Sequence, residues 1–402
     1  MLSVVGHRLI GFARGIYTFT LNPKTQKTMN LTLTKRELLP ALKTVASVVE
    51  DRKVLPILST ILLQTDGDML KLTGGDGEIE ISYQLQVEVG ADFAVTVPKK
   101  LLDITRSLPD GSELNLTDKD GNGKLIVHSG KSRFTLATLA ANDYPASSEL
   151  ENTQEFTTPQ AQLKAFLKQC VFCSANNDVR YYLNGLLVEI KDGEIHFVAT
   201  DGHRMATTQV ASEGDGLELV SDTKTSVIIP RKTVLELLKL LGDDSDGNVQ
   251  ISFNDTHIRF TMNESLQLTS KLIDGKFPDW RAVIPQQAHN VVTLDKTNLQ
   301  AALTRVALLS NEKYKGVRLT LAENLLTINA KNPNQEEATE ELEVDYTGEP
   351  LEIGFNCVYL LDALAVIGTS EVRLAFTDSS SSVLITQTGD EPGQWIIMPM
   401  RL

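Results

Sequence analysis

The sequence is poor in cysteine, with three in 402 residues: Cys170, Cys173 and Cys357. That is too few for a disulfide framework and points to the cytoplasm. No apolar run approaches the roughly 18–20 residues of a membrane span. No GxxxxGK[ST] phosphate loop is present, so any ATP-driven step belongs to another protein. Zinc-finger spacing and RNA-binding aromatic signatures are missing too, which argues against base-specific readout. Cys170-x-x-Cys173 lies in a predicted helix with no second pair nearby, so neither a metal nor any cofactor is expected. Positive charge is in deficit, with 38 Lys and Arg against 52 Asp and Glu and a net charge of −14. Such a balance favours solubility and opposes indiscriminate adhesion to nucleic acid.

What the chain has is repetition. The stretch from Val291 to Leu321 reads as strand end, cap, amphipathic helix and strands, with Leu299, Leu303 and Val306 on one helix face. Similar stretches begin at Leu31 and Phe156, at intervals of roughly 130 residues, which is the size of a domain. A second helix is predicted in each copy, from Val97 to Pro109, from Ile228 to Gly242 and from Ile353 to Gly368, each ending at a breaker. Alternating strands follow, and turns at Asp66-Gly67, Asp192-Gly193 and Glu323-Asn324 separate further strands between the helices. The expectation is an α+β protein of three repeated two-helix-plus-sheet domains. A leader covers 1–28, and the domains cover 29–150, 151–286 and 287–402. The leader is basic and free of acidic residues, but His7, Arg8 and Arg14 interrupt any signal-peptide core. It is read as upstream sequence or a disordered arm, with Met29 as the true start.

The predicted helices hold much of the positive charge. First helices carry Lys35, Arg36, Lys43, Lys164, Lys168, Lys296 and Arg305, and second helices carry Lys99, Lys100, Arg106, Arg231, Lys232 and Lys239. Corresponding helices of packed repeats face one side, so a basic lining is expected, able to attract phosphate without reading sequence. Balls about 34 Å across leave a hole of about 5 Å when three form a ring, and of about 34 Å when six do. A ring on duplex DNA therefore requires two chains.

DVRYYLNG (Asp178–Gly185), TDGHRMA (Thr200–Ala206), SKLIDGKFPDW (Ser270–Trp280), LSNEKYKGVRL (Leu309–Leu319), NPNQEEA (Asn332–Ala338) and MPMRL (Met398–Leu402) resemble, in order, the bacterial sliding-clamp family, the β subunits of DNA polymerase III. The resemblance runs from Met29 to Leu402. It implies a non-catalytic, head-to-tail homodimeric ring of six similar domains that slides on duplex DNA. It further implies that the ring tethers the polymerase III catalytic subunit, a clamp loader, and other polymerases and repair factors, with no membrane involved.

By the same resemblance, a partner peptide enters a groove between the second and third domains. The matching positions are Leu183, Thr200, Gly202, His203, Arg204, Met205, Pro278, Val283, Asn356, Tyr359, Ser382, Ile396, Met398, Pro399, Met400 and Arg401. Many relatives have arginine where this chain has Ala282, so a less basic rim is expected. DNA contacts match Arg52, Lys99, Asn177, Tyr181, Tyr182, Arg231 and Lys232. The dimer interface matches Lys100, Lys124, Lys131 and Arg133, with Phe134 and Leu136 packing on Leu308 and Leu309. Gln335, Glu336, Glu337 and Glu340 are the acidic segment that faces the cations across that interface. Two other readings stay open on the residues alone: a hydrolase using Asp201 and His203, for which no nucleophile motif is present, and a repeat-built protein scaffold that never meets DNA.

Overall fold

The computed structural model describes residues 29–50, 55–88, 92–118, 123–145, 147, 149–151, 153–211, 218–219, 225–243, 247–389 and 392–401. The leader expected over 1–28 lies outside them. Six α-helices are present among the described residues: α1 (Lys35–Val45), α2 (Lys100–Ser107), α3 (Gln160–Val171), α4 (Arg231–Leu240), α5 (Lys296–Ala307) and α6 (Cys357–Val366). Helix α1 starts at a capping box, in which Glu37 N–H donates to the Thr34 hydroxyl and Thr34 N–H donates to the Glu37 carboxylate. Asp295 caps α5 through Asn298 N–H, and Asn356 caps α6 through Val358 N–H. The spacing of Leu38, Ala41, Leu42 and Val45 puts all four on the buried face of α1.

Each unit runs strand, helix, four strands, helix, three strands, with one extra two-residue strand, Glu218–Leu219, in the second. The two helices of a unit pack on each other, and a lysine ties them at one end. Lys35 Nζ donates to Leu108 O (2.5 Å), Lys164 Nζ to Leu241 O (2.8 Å) and Lys296 Nζ to Ile367 O (2.7 Å). Each of these carbonyls lies at the C-terminal end of the unit's second helix, where the helix dipole favours a cation. This differs from the expected basic lining: three of the cations assigned to it close helix ends instead.

The sheets do not stop at unit boundaries. Strand Leu266–Lys271, the last of the second unit, pairs antiparallel with Ile79–Gln86 of the first. Strand Gln394–Ile397, the last of the third, pairs in the same way with Arg204–Ala211 of the second. The result is one nine-stranded and one eight-stranded sheet across the junctions, with a four-stranded sheet at each end. A continuous apolar core runs through all three units between helices and sheets. The three cysteines are free and buried in it. Cys170 Sγ lies against Phe197 O and Cys357 Sγ against Leu303 O, both at 3.4 Å. Burial pushes all three thiols up, Cys357 to about 11.

Candidate functional site

At the second junction, Met205 pairs across the sheets with Ile396. Together with Leu187, Val198 and Ile228 they form a small apolar cluster roofed by Trp280. A pocket of about 150 Å³ opens above it. It brings together Leu183, Thr200, Gly202, Arg204, Met205, Pro278, Val283, Ile396 and Met398 of the expected groove. Arg180, Tyr182, Phe277 and Trp280 complete the wall and were not expected there. The signal for two of them was present, since Phe277 and Trp280 flank Pro278 in the FPDW motif. Tyr182, grouped with Tyr181 among the expected DNA contacts, lines this wall while its ring stands edge-on to the exposed Tyr181, with centroids 5.8 Å apart.

Local chemistry shapes the pocket edge. Gly202 has φ +87°, where an L side chain is strained, and a Cβ there would lie 2.8 Å from the Arg180 guanidinium and displace it. Arg180 is in turn clamped by Asp178, whose carboxyl it holds down to about 2. Asp201 accepts from His203 N–H, Arg204 N–H and Arg204 Nε, so its carboxylate shapes the turn and holds Arg204. Arg204 also donates to Asp362 (2.6 Å) and Phe172 O (3.0 Å), and its guanidinium lies 4.4 Å from the Tyr359 ring centroid. It thus joins the second unit to α6 of the third, and its donors are largely spent on that link.

The remaining expected groove residues lie outside this pocket. His203 O accepts from Met398 N–H, and Met400 N–H donates to Gly354 O, which runs the terminal segment along the third unit. Asn356 is the α6 cap, Tyr359 underlies Arg204, Ser382 is buried beside strand Val383–Gln387, and Arg401 is exposed. Pro399 bridges Met398 and Met400. Ala282 brings no charge to the rim, and neighbouring Arg281 pairs with Glu189 at 2.6 Å.

Of the residues expected to meet DNA, Asn177, Tyr181, Arg231 and Lys232 line one open depression of about 450 Å³. Tyr181 is 57% exposed. The cations are not loose. Arg231 donates to Val171 O and the Ser174 hydroxyl, Lys99 donates to Val49 O, and Lys232 bridges Glu50 and Asp76 of the first unit. Arg52 lies outside the described residues.

Among the edge strands of the four sheets are Ser132–Ala137, at one end of the first unit's four-stranded sheet, and Glu337–Glu343, at one end of the third unit's. Around the first, Lys100, Lys124, Lys131 and Arg133 are exposed, with Phe134 half-buried and Leu136 buried. Around the second, Gln335, Glu336 and Glu337 are exposed, while Glu340 is already held by Arg305 at 2.7 and 2.6 Å. Leu308 is 79% exposed at the end of α5, and Leu309 is half-buried. Among the described residues no cluster of three or more His, Cys, Asp or Glu has metal-binding geometry, and no helix is long and apolar enough to cross a membrane.

Three repeated helix-pair units, fused through continuous sheets, define the DNA-clamp architecture. The N-terminal, central and C-terminal domain models of the DNA polymerase III β subunit match residues 29–148, 157–279 and 281–401. The chain belongs to that family. It is 44% identical to the beta sliding clamp of Pseudomonas aeruginosa over 93% of this chain and 100% of that one. With the clamp of Escherichia coli K12 the figure is 42% over the same coverage. A crystal structure of the Pseudomonas aeruginosa clamp with ligand superposes with a TM-score of 0.88, at 44% identity and again 93% and 100% coverage. Another of that clamp, bound to griselimycin, gives the same score over 94% of this chain and 100% of that one.

Proposed function

We propose that this protein is the processivity clamp of bacterial DNA replication: a head-to-tail dimer that encircles duplex DNA and slides on it in the cytoplasm. The observation that carries this reading is the strand rule at the two internal junctions. In both, the last strand of one unit pairs with the third inter-helix strand of the unit before it. The two strands that hold those positions but lie at a sheet edge are Ser132–Ala137, last strand of the first unit, and Glu337–Glu343, third inter-helix strand of the third. Pairing them between two copies repeats the junction, and two copies give six units. Cations on one edge and carboxylates on the other favour that heterologous contact over self-pairing. The exposed ion pairs contribute little, so Leu308 and Leu309 against Phe134 and Leu136 supply most of the affinity.

The protein acts by binding and performs no catalysis, since Asp201 and His203 form the turn beside the groove. Contacts to DNA are weak and salt-dependent, through the depression lined by Asn177, Tyr181, Arg231 and Lys232 and through Lys99, Tyr182 and Arg52, which the family resemblance assigns to the same role. The apolar pocket takes the anchor of a short peptide from the polymerase III catalytic subunit, the clamp loader, or other polymerases and repair factors. Methionines suit such varied ligands, and Met205 and Met398 line it. Light scattering after gel filtration should give the mass of two chains. Protein loaded on closed circular DNA should stay bound in salt and leave when the circle is cut; loss from intact circles would defeat the reading.

A further inference from the structure

Every position that the family resemblance assigns to DNA lies in the first or second unit. The third unit lacks the cations that the other two carry at the start of the second helix. Pro98-Lys99-Lys100 opens α2 and Pro230-Arg231-Lys232 opens α4, whereas Asn356-Cys357-Val358 opens α6. A basic lining that ran through all three units would be interrupted there.

Positive charge returns at that place from a different element. The turn over residues 308–315 follows α5 and ends at Lys315, whose carbonyl accepts from the N–H of Cys357, the first residue of α6, at 2.8 Å. The second unit has the same join. Asn184 O accepts from Arg231 N–H at 2.9 Å, and Gly185 pairs with Pro230 as Gly316 pairs with Asn356. The turn is therefore the counterpart of the one that carries Asn177 and Tyr181. Its charge is felt at the helix start: burial pushes the Cys357 thiol up to about 11, and the Lys315 ammonium opposes that rise.

The turn is tightly shaped by its own backbone. Asn311 Oδ1 accepts from Lys313 N–H at 2.9 Å and from Tyr314 N–H at 3.1 Å, and Asn311 O accepts from Lys315 N–H at 2.8 Å. Lys315 takes φ +50°, as Asn177 takes +58° in the second unit. Tyr314 is 55% exposed, close to the 57% of Tyr181. Lys313 is exposed, with Nζ 5.1 Å from the Tyr314 ring centroid, and makes no hydrogen bond or ion pair through its side chain among the described residues. In this it differs from Lys99, Arg231 and Lys232, whose donors close contacts inside the protein. Glu312 is the one carboxylate of the turn, and the two lysines outnumber it.

We propose that Lys313, Tyr314 and Lys315 form the third unit's contact with the phosphate backbone of duplex DNA, and stand in for the cation pair that α6 lacks. The ammonium groups neutralise phosphate and the phenol donates to a phosphate oxygen, so the contact is blind to sequence. The identity of the ligand rests on the ring reading above; the place of the turn beside α6 does not.

Lys313→Gln with Lys315→Gln in the full-length protein should bind a labelled duplex about tenfold more weakly at low salt, with a salt slope reduced by about 0.9 for each phosphate lost. Fluorescence anisotropy between about 50 and 200 mM salt reads both quantities. Lys191→Gln with Arg318→Gln removes the same charge from strand positions whose neighbours Ile190, Val317 and Leu319 face the core, and should change neither. Light scattering should report a dimer for both pairs. Because Leu309 shares the turn, a second measurement uses the unsubstituted protein. Bound DNA should slow acetylation of Lys313 by an activated ester, read by peptide mass spectrometry, and leave Lys191 unaffected. Equal loss of affinity in both pairs, an unchanged salt slope in the turn variant, or equal labelling of Lys313 with and without DNA would overturn the proposal. If the unsubstituted protein itself leaves closed circular DNA, the ring reading fails and takes the proposal with it.

Discussion

The two junctions inside the chain share one backbone plan and differ in what lines it. Lys271 N–H donates to Glu78 O at the first, and Met398 N–H donates to His203 O at the second. The paired strands then place Glu80 opposite Thr269 where the second junction has Met205 opposite Ile396. Gly77 and Gly202 turn the chain with φ +89° and +87° at matching points. The first junction thus offers a cavity of about 260 Å³ edged by Glu78, Glu80, His257 and Lys271. The second offers apolar carbon. Identical strand pairing therefore says nothing about docking; four or five side chains decide it, because burying an unpaired charge costs far more than burying a methyl group gains.

The strongest test moves the lining of one junction into the other. Met398→Lys with Val283→Asp should weaken binding of a polymerase-tail peptide at least a hundredfold, or about 3 kcal/mol. Fluorescence anisotropy reads this, and an unchanged affinity would remove the pocket from partner binding. The junction between copies is next. Leu308→Ala with Leu309→Ala should raise the dimer dissociation constant by about 30-fold to 100-fold and give monomers at micromolar concentration. An intact dimer on gel filtration would show that the copies meet elsewhere.

The first junction is held by charge, and that should show in its pH dependence. Asp76 is 2% exposed and accepts from Lys232 and from the Glu78 and Ile79 amides. Burial raises its pKa, but these bonds outweigh burial and leave it lowered. Its contribution is complete above the ordinary aspartate value of about 3.9 and is lost as pH falls through the lowered native value. Asp76→Asn should cost about 2 kcal/mol in urea unfolding at pH 7 and progressively less as the pH is lowered into the acid range; a cost that does not fall in acid would place the effect in packing. The smallest effect is inside a unit. Lys164→Met, which removes the cap on Leu241 O, should cost about 0.5–1 kcal/mol wherever the other two units keep theirs.

The repeat was legible in the sequence because apolar spacing and helix breakers are local signals. Pro109, Gly242 and Gly368 lie just beyond Ser107, Leu240 and Val366, where α2, α4 and α6 end. The predicted turns hold too: Asp192 and Gly193 both have positive φ, as do Gly67 and Asn324. Sheet continuity across units was not legible, since Leu268 and Ile81 are far apart in sequence and pair only in the fold. Nor were the lysine caps. Lys35, Lys164 and Lys296 look like any surface cation until the second helix brings its last carbonyl to them. Nine of the residues that the resemblance singled out come together in one pocket, whereas no local signal gives the contacts of Arg204 with Asp362 and Tyr359, which arrive from the next unit.

The burial of Cys170, Cys173 and Cys357 has a practical corollary. With every native thiol sealed in the core and held in its protonated form, the surface offers nothing for a maleimide to attack. One cysteine placed on a free edge would be the molecule's single address for a dye or a cross-linker. Arg133→Cys and Glu337→Cys in one chain would put such addresses on both edges, and a short bis-maleimide could then weld a closed ring shut without touching the interior.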